Sequence, residues 1–419
     1  MHDRVTSSES PVGRGLSGRW GFGVLIALSL ALCPRVEAAE RQPPMVFKTL
    51  AQDAGLTQNT VNAVYQDSLG FIWIATQNGL NRYVGHEIQA FLRDPVSPGG
   101  LRNDFLRDID EDSRGDLWLA SSGSGVIRFR RRSGHFENLW SAEELDRHPG
   151  RADVRSVKVA RDGSVWLGTR GGGLLQLDAD GSLQRTYRTE SDPGLLSDDI
   201  NDIVEQDDGT LWVATNGGVS RRDAGTGELE PVDVLGQGSE ATVLALGKAG
   251  TLWVGYREQG LARFDPATGS VRRWQVEREG SGHLSHNRVL SVLEDSAGRL
   301  WVATQDGLNL LMPGHEELQV YRHDPVNPFS FPDNYLMSLY EDRSGLLWFG
   351  TRTRGVAIWN PRSWSFGAYR RPWHADAIIN AFATDDGGVW VGTIGQGRCT
   401  WMPRARSIGA TARPTACLR

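Results

Sequence analysis

The chain has 419 residues with 50 glycines, 15 tryptophans, 9% aromatic and 23% charged residues, a make-up that fits a folded, turn-rich β protein and excludes a disordered one. A formal net charge of −6 argues against a nucleic-acid binder and makes polyanions poor ligands, because neutralising phosphates takes a basic face. Cys33, Cys399 and Cys417 stand near the two ends, so neither a disulfide framework nor a Cys-based zinc site is expected. His283 and His286 are the nearest histidine pair, no carboxylate cluster joins them, and no metal or cofactor is expected.

From the N terminus, Arg4, Arg14 and Arg19 precede the apolar run WGFGVLIALSLALC at 20–33, followed by Pro34 and the small-residue site Val36, Glu37, Ala38. This predicts a signal peptide over 1–38, and hence an exported, periplasmic chain. The run is shorter than the roughly 20 residues that span a bilayer, and an uncleaved anchor is the alternative.

The rest of the chain repeats one phrase: a turn, Gly, an apolar residue, Trp, Gly/Ala-Thr, then Gly-Leu or Gly-Val. GFIWIATQNGL, GTLWVATNGGV and GRLWVATQDGL are three of eight copies. Their tryptophans are Trp73, Trp118, Trp166, Trp212, Trp253, Trp301, Trp348 and Trp390, at intervals of 41 to 48 residues. Such a period means a propeller or solenoid. Within a unit, VNAVYQ, FIWIAT, LNRYV and EIQAFL read as four short antiparallel strands, a propeller blade. Each Trp is expected to wedge between adjacent blades. Asp67, Asp112, Asp162, Asp295 and Asp342 are expected to accept backbone N–H groups in the preceding hairpin turn. Gly79, Gly125, Gly173, Gly218, Gly260, Gly307 and Gly355 open the third strand where the chain turns tightly.

The full phrase, N-x-V-x-x-(I/V)-x-x-D-x-x-G-x-(I/L)-W-(I/V)-(G/A)-T-x-x-G-L, resembles the two-component regulator propeller repeat over about residues 45 to 397. The resemblance implies the extracytoplasmic sensor region of a bacterial signalling protein, with two seven-bladed propellers, a membrane helix and a histidine kinase or GGDEF diguanylate cyclase output. It also implies a small-molecule or carbohydrate ligand, and self-association as a dimer is a further expectation. No kinase or cyclase motif and no second apolar span follows the repeats, so any catalysis is expected in a part beyond this chain. The preferred organisation is an all-β, seven-bladed propeller over 45–362, with MVFKTL closing the ring. The eighth copy, 363–397, then begins a second propeller, with one eight-bladed ring as the competitor. Residues 398–419 lose the pattern abruptly and suggest a frameshift or truncation.

For a ligand site, alignment of the copies puts Asn59, Asp104, Asp198, Asn287 and Asn334 just before the first strand. There they are expected either to ring the channel mouth or to cap a turn. The loops at 140–152, 276–288 and 323–333 are equal candidates. Two other readings compete with the sensor. A secreted carbohydrate-active propeller would need an arginine cluster with a Tyr or paired carboxylates, and none is visible. A free periplasmic binding scaffold would differ in lacking a membrane output. A quinoprotein docking motif is mimicked once, by Asp265, Thr268, Gly269 and Trp274, and reads as a hairpin turn.

Overall fold

The computed structural model describes Met45, residues 47–276, 283–326 and 330–362, and the backbone of 378–384, 388–394 and 400–403. The segment 1–38, expected to be a signal peptide, and the three cysteines lie outside the described residues, as do the side chain of Trp390 and the tail from 404.

Seven four-stranded antiparallel sheets follow one another in the chain. Their first strands are Val61–Gln66, Leu106–Glu111, Val154–Val159, Ile200–Glu205, Ala241–Leu246, Val289–Glu294 and Leu336–Glu341. Each first strand neighbours the next, and the seventh neighbours the first, so these strands form an inner ring. Blades 1 to 6 take their strands in chain order. Blade 7 borrows its outer strand from the other end of the ring: Phe47–Leu50 pairs antiparallel with Val356–Trp359. The fold is a seven-bladed β-propeller, closed by the segment MVFKTL. The eighth copy forms a separate three-stranded sheet, Ile378–Thr384, Gly388–Ile394 and Thr400–Pro403. Its last strand falls where the sequence shows no strand alternation, because ladder pairing is a backbone property that side-chain pattern only biases.

The second strand of every blade is buried on both faces, since each sheet is sandwiched between two others. Seven apolar clusters fill the seven interfaces, and each holds one repeat tryptophan. Trp73 packs with Leu106, Ile109 and Phe129 of blade 2, Trp166 with Ile200 and Ile203 of blade 4, and Trp348 with Val61 and Val64 of blade 1. All seven indoles are 5% exposed or less.

The turn carboxylates do more than the sequence suggested. Asp67 Oδ1 accepts the N–H groups of Leu69 (3.0 Å) and Phe71 (2.9 Å), while Oδ2 accepts the indole N–H of Trp73 at 2.8 Å. Asp112, Asp295 and Asp342 hold Trp118, Trp301 and Trp348 in the same way, at 3.0, 2.8 and 2.8 Å. Asp162 stands two residues later in its turn. It accepts Ser164 N–H, and the Ser164 hydroxyl takes the Trp166 indole instead. Farther along the motif, the Thr or Ser ending the second strand donates to the carbonyl of the third-strand glycine in six blades. The glycine itself has positive φ, as at Gly79 (111°) and Gly355 (76°). A Cβ on Gly79 would lie 2.5 Å from the Phe91 carbonyl oxygen. Asp265 and Asp223 cap hairpin turns, the plain reading of the quinoprotein-like phrase.

Candidate functional site

The five residues aligned just before the inner strands, offered as a mouth ring or as turn caps, bond to the preceding blade. The carbonyls of Asn59, Asp104, Asp198, Asn287 and Asn334 accept the N–H of the third-strand glycine of the preceding blade: Gly355, Gly79, Gly173, Gly260 and Gly307, at 2.7–3.0 Å. Four of their side chains also accept a backbone N–H just past that blade's outer strand. These donors are Gln52 to Asn59 (3.0 Å), Thr189 to Asp198 (2.8 Å), Val276 to Asn287 (2.8 Å) and His323 to Asn334 (2.6 Å). The set therefore ties the connecting chain to the third and fourth strands of the preceding blade, while the turn into the inner strand is capped one residue earlier, by Gln58, Asn103, Ser197, His286 and Asp333. The connecting chain runs from an outer strand inward, and two residues before the inner strand it is still on its way.

One to three residues further on, the chain bonds at the ends of the inner strands. Tyr335, Arg288, Glu240, Asp199, Asp153 and Phe105 immediately precede inner strands, and their carbonyls accept N–H groups from the residue after the second strand. Arg107 pairs with Asp153 of the next blade at 3.2 Å and lies over the Phe105 ring. Arg257 pairs with Glu240 at 2.5 Å, and Arg352 lies over Tyr335. Arg155 donates to Asn201 of blade 4, and burial draws its guanidinium below the usual arginine range. The second residues of three inner strands hook the next strand by its first carbonyl: Asn62 to Leu106 O, Asn201 to Ala241 O and Thr242 to Val289 O, at 2.6–2.7 Å.

Deeper along the ring, carboxylates tie adjacent inner strands. Asp108 of blade 2 accepts Val157 N–H of blade 3 at 3.0 Å, and Asp202 of blade 4 accepts Leu244 N–H of blade 5 at 2.8 Å. The Ser156 hydroxyl between them is 3.2 Å from one and 3.4 Å from the other. Burial pushes the Asp108 carboxyl up to about 7, with the Asp202 charge adding to the rise; burial raises Asp202 as well. Beside them Lys158 donates to Asp110 at 2.8 Å, and that ion pair holds the ammonium above its usual range despite burial.

Two clefts open where a connecting loop meets the blade it enters. One, of about 760 Å³, lies at the ring's seam among Phe47, Gln52, Asp53, Asn59, His323, Asp324, Thr353 and Arg354. The other, of about 410 Å³, lies on blade 3 beside the 140–152 loop. Among the described residues no group of three or more His, Cys, Asp or Glu is placed to hold a metal ion. The His286 ring accepts Arg288 N–H at 2.9 Å, a turn role.

The fold is that of a seven-bladed β-propeller with polar rims, and comparison with known proteins gives it relatives. The two component regulator propeller model matches residues 55–78, 194–217, 283–306 and 330–353, in blades 1, 4, 6 and 7, so the chain carries the repeat of that family. Histidine kinase P4 of Formosa agariphila is 28% identical over 197 residues, 44% of this chain and 14% of that protein. Among solved structures, the extracellular domain of a putative hybrid two component system of B. thetaiotaomicron superposes with a TM-score of 0.68 at 20% identity, covering 88% of this chain and 49% of that one. A second such domain from the same organism gives 0.63 at 21%, covering 85% and 47%. Virginiamycin B lyase of Staphylococcus aureus gives 0.56 at 12%, covering 75% and 98%. At these identities the structural likenesses show the fold alone. The chain spans about half the length of the extracellular domains it matches. No helix among the described residues is long and apolar enough to cross a membrane.

Proposed function

We propose that this chain is the extracytoplasmic, ligand-sensing propeller region of a transmembrane signal-transduction protein, exported by the segment 1–38. Its kinase or cyclase output lies in a part beyond this chain. The observation that carries the reading is the two component regulator propeller repeat in four blades. It is supported by likeness to extracellular domains about twice as long. In this reading a small molecule binds on the face where connecting loops enter the blades, and its contacts bias how this propeller meets its neighbour or a second copy. Ligand energy can shift such an equilibrium only through differential contacts with the two arrangements, which rim loops on a stiff ring provide. Reading the genomic DNA from codon 395 onward tests the proposal. The expected result is a shifted frame at the pattern loss, continuing through further Trp repeats to a membrane helix and an output domain. An unaltered frame that stops after Arg419 would overturn the transmembrane reading and leave a free exported scaffold.

A further inference from the structure

We propose that the blade 3 cleft is a binding site for an anionic group, carboxylate or sulfate-like, on the sensed ligand. Its lining supplies Arg147, His148, Arg151 and Arg188, with Thr186 as a neutral hydroxyl and Gly150, Gly171 and Gly172 as backbone floor. No carboxylate lines it, although the chain as a whole is acidic by six charges. The seam cleft is the contrast, setting Asp53 and Asp324 against Arg354 and His323.

The basic groups are partly preset. Arg188 donates to the carbonyls of Gly171 (2.7 Å) and Gly172 (3.4 Å), which fixes its guanidinium at the rim. Asp198 Oδ2 stands 3.9 Å from its Nε, a loose ion pair with no hydrogen bond. Arg151 lies over the Trp140 ring at 5.8 Å. Arg147 pairs with Glu143 at 3.1 Å, in a solvent-exposed pair that contributes little, and Glu144 feels the charges of both Arg147 and Arg151. The loop passes directly against the blade, backbone to backbone, at the cleft floor. A Cβ on Gly150 would lie 2.7 Å from Gly172 Cα, and one on Gly172 would collide with Gly150 O. At the loop's start the helix Ala142–Arg147 is anchored by a capping box on Ser141 and Glu144. A concave surface whose lining carries three guanidiniums and no carboxylate, its acids standing behind the arginines, is the arrangement that favours a bidentate oxyanion. The inference deepens the sensor reading, and rests on it only for the biological meaning of the ligand.

Titration calorimetry on the purified 419-residue chain at low ionic strength tests it, with citrate as the carboxylate probe, inorganic sulfate as the oxyanion probe and glycerol as the neutral control. Saturable binding of citrate, of sulfate or of both is expected, and which probe binds tells carboxylate from sulfate-like recognition. Binding should weaken with added NaCl. Arg151→Gln and, separately, the exposed Arg147→Glu should each weaken it about tenfold or more, as loss of a charged contact implies. Arg354→Gln in the seam cleft should leave it unchanged. Arg147→Glu keeps the test open if Arg151→Gln disturbs the Trp140 stack. Absence of saturable binding by both anions would overturn the site, as would affinity unmoved in a folded Arg147→Glu variant. Either failure leaves the DNA test of the sensor reading intact.

Discussion

Two arcs of the ring anchor the same tryptophan differently. In blades 6, 7, 1 and 2, a carboxylate six residues before the Trp binds both the turn and the indole: Asp295, Asp342, Asp67 and Asp112. In blades 3, 4 and 5 that position holds Ala160, Gln206 and Gly247. Trp166 then uses Ser164, Trp253 borrows Glu294 from the next blade at 2.9 Å, and the buried Trp212 indole N–H has no hydrogen-bond partner. Yet all seven rings are equally buried. Apolar burial therefore sets the blade spacing, and the hydrogen bond is an addition that one arc has and the other does without.

The largest effect should come from removing a wedge. Trp348→Ala should destabilise by about 3–5 kcal/mol in urea unfolding, since a buried indole leaves a cavity between blades. Trp→Phe sharpens the comparison: at Trp348 it strands a buried carboxylate oxygen, whereas at Trp212 the lost N–H had no partner. The first should cost about 1–3 kcal/mol more than the second, and equal losses would break the distinction between arcs. Asp342→Ala removes the acceptor of three N–H groups and should cost about 2–4 kcal/mol, well above Asp162→Ala on the other arc.

The carboxylates of blades 2 and 4 predict a pH dependence. Folded Asp108 keeps its proton up to about pH 7, whereas in the unfolded chain it releases it near 4. Its contribution to stability is full at low pH and is lost as pH rises through that window. Melting temperature measured from pH 5 to 8 should fall more steeply in the wild type than in Asp108→Asn, and parallel slopes would refute the raised carboxyl. The smallest effect is a gain: Gln206→Asp gives Trp212 the clamp of the other arc and should stabilise by about 0.5–1.5 kcal/mol.

Much of this was legible in the chain because a repeat states its rule many times. The tryptophan spacing, the strand phrase and the opening MVFKTL together specify stacked four-stranded blades and the closing strand. Legibility failed at Asp162, where a turn of the same length carries its acid two residues late, and was incomplete at Asn59, Asp104, Asp198, Asn287 and Asn334, whose bonds to the preceding blade the repeat does not state. Alignment gives a residue's place within the repeat but not its distance from the axis, and that distance separates a latch from a rim. The blade 3 basic cleft was missed because net charge averages over the surface. Its arginines come from 147 to 188, and the 140–152 loop was the one signal that pointed near it.

The sequence alone determined the strands, the wedges and the glycine turns, because each depends on contacts within one 40-to-50-residue unit and its copy. Only the tertiary structure decided which carboxylates meet across blades, as Asp108, Ser156 and Asp202 do, and which rim residues share a cleft. Those neighbours are one or two blades apart in the chain, and closing the ring is what brings them together.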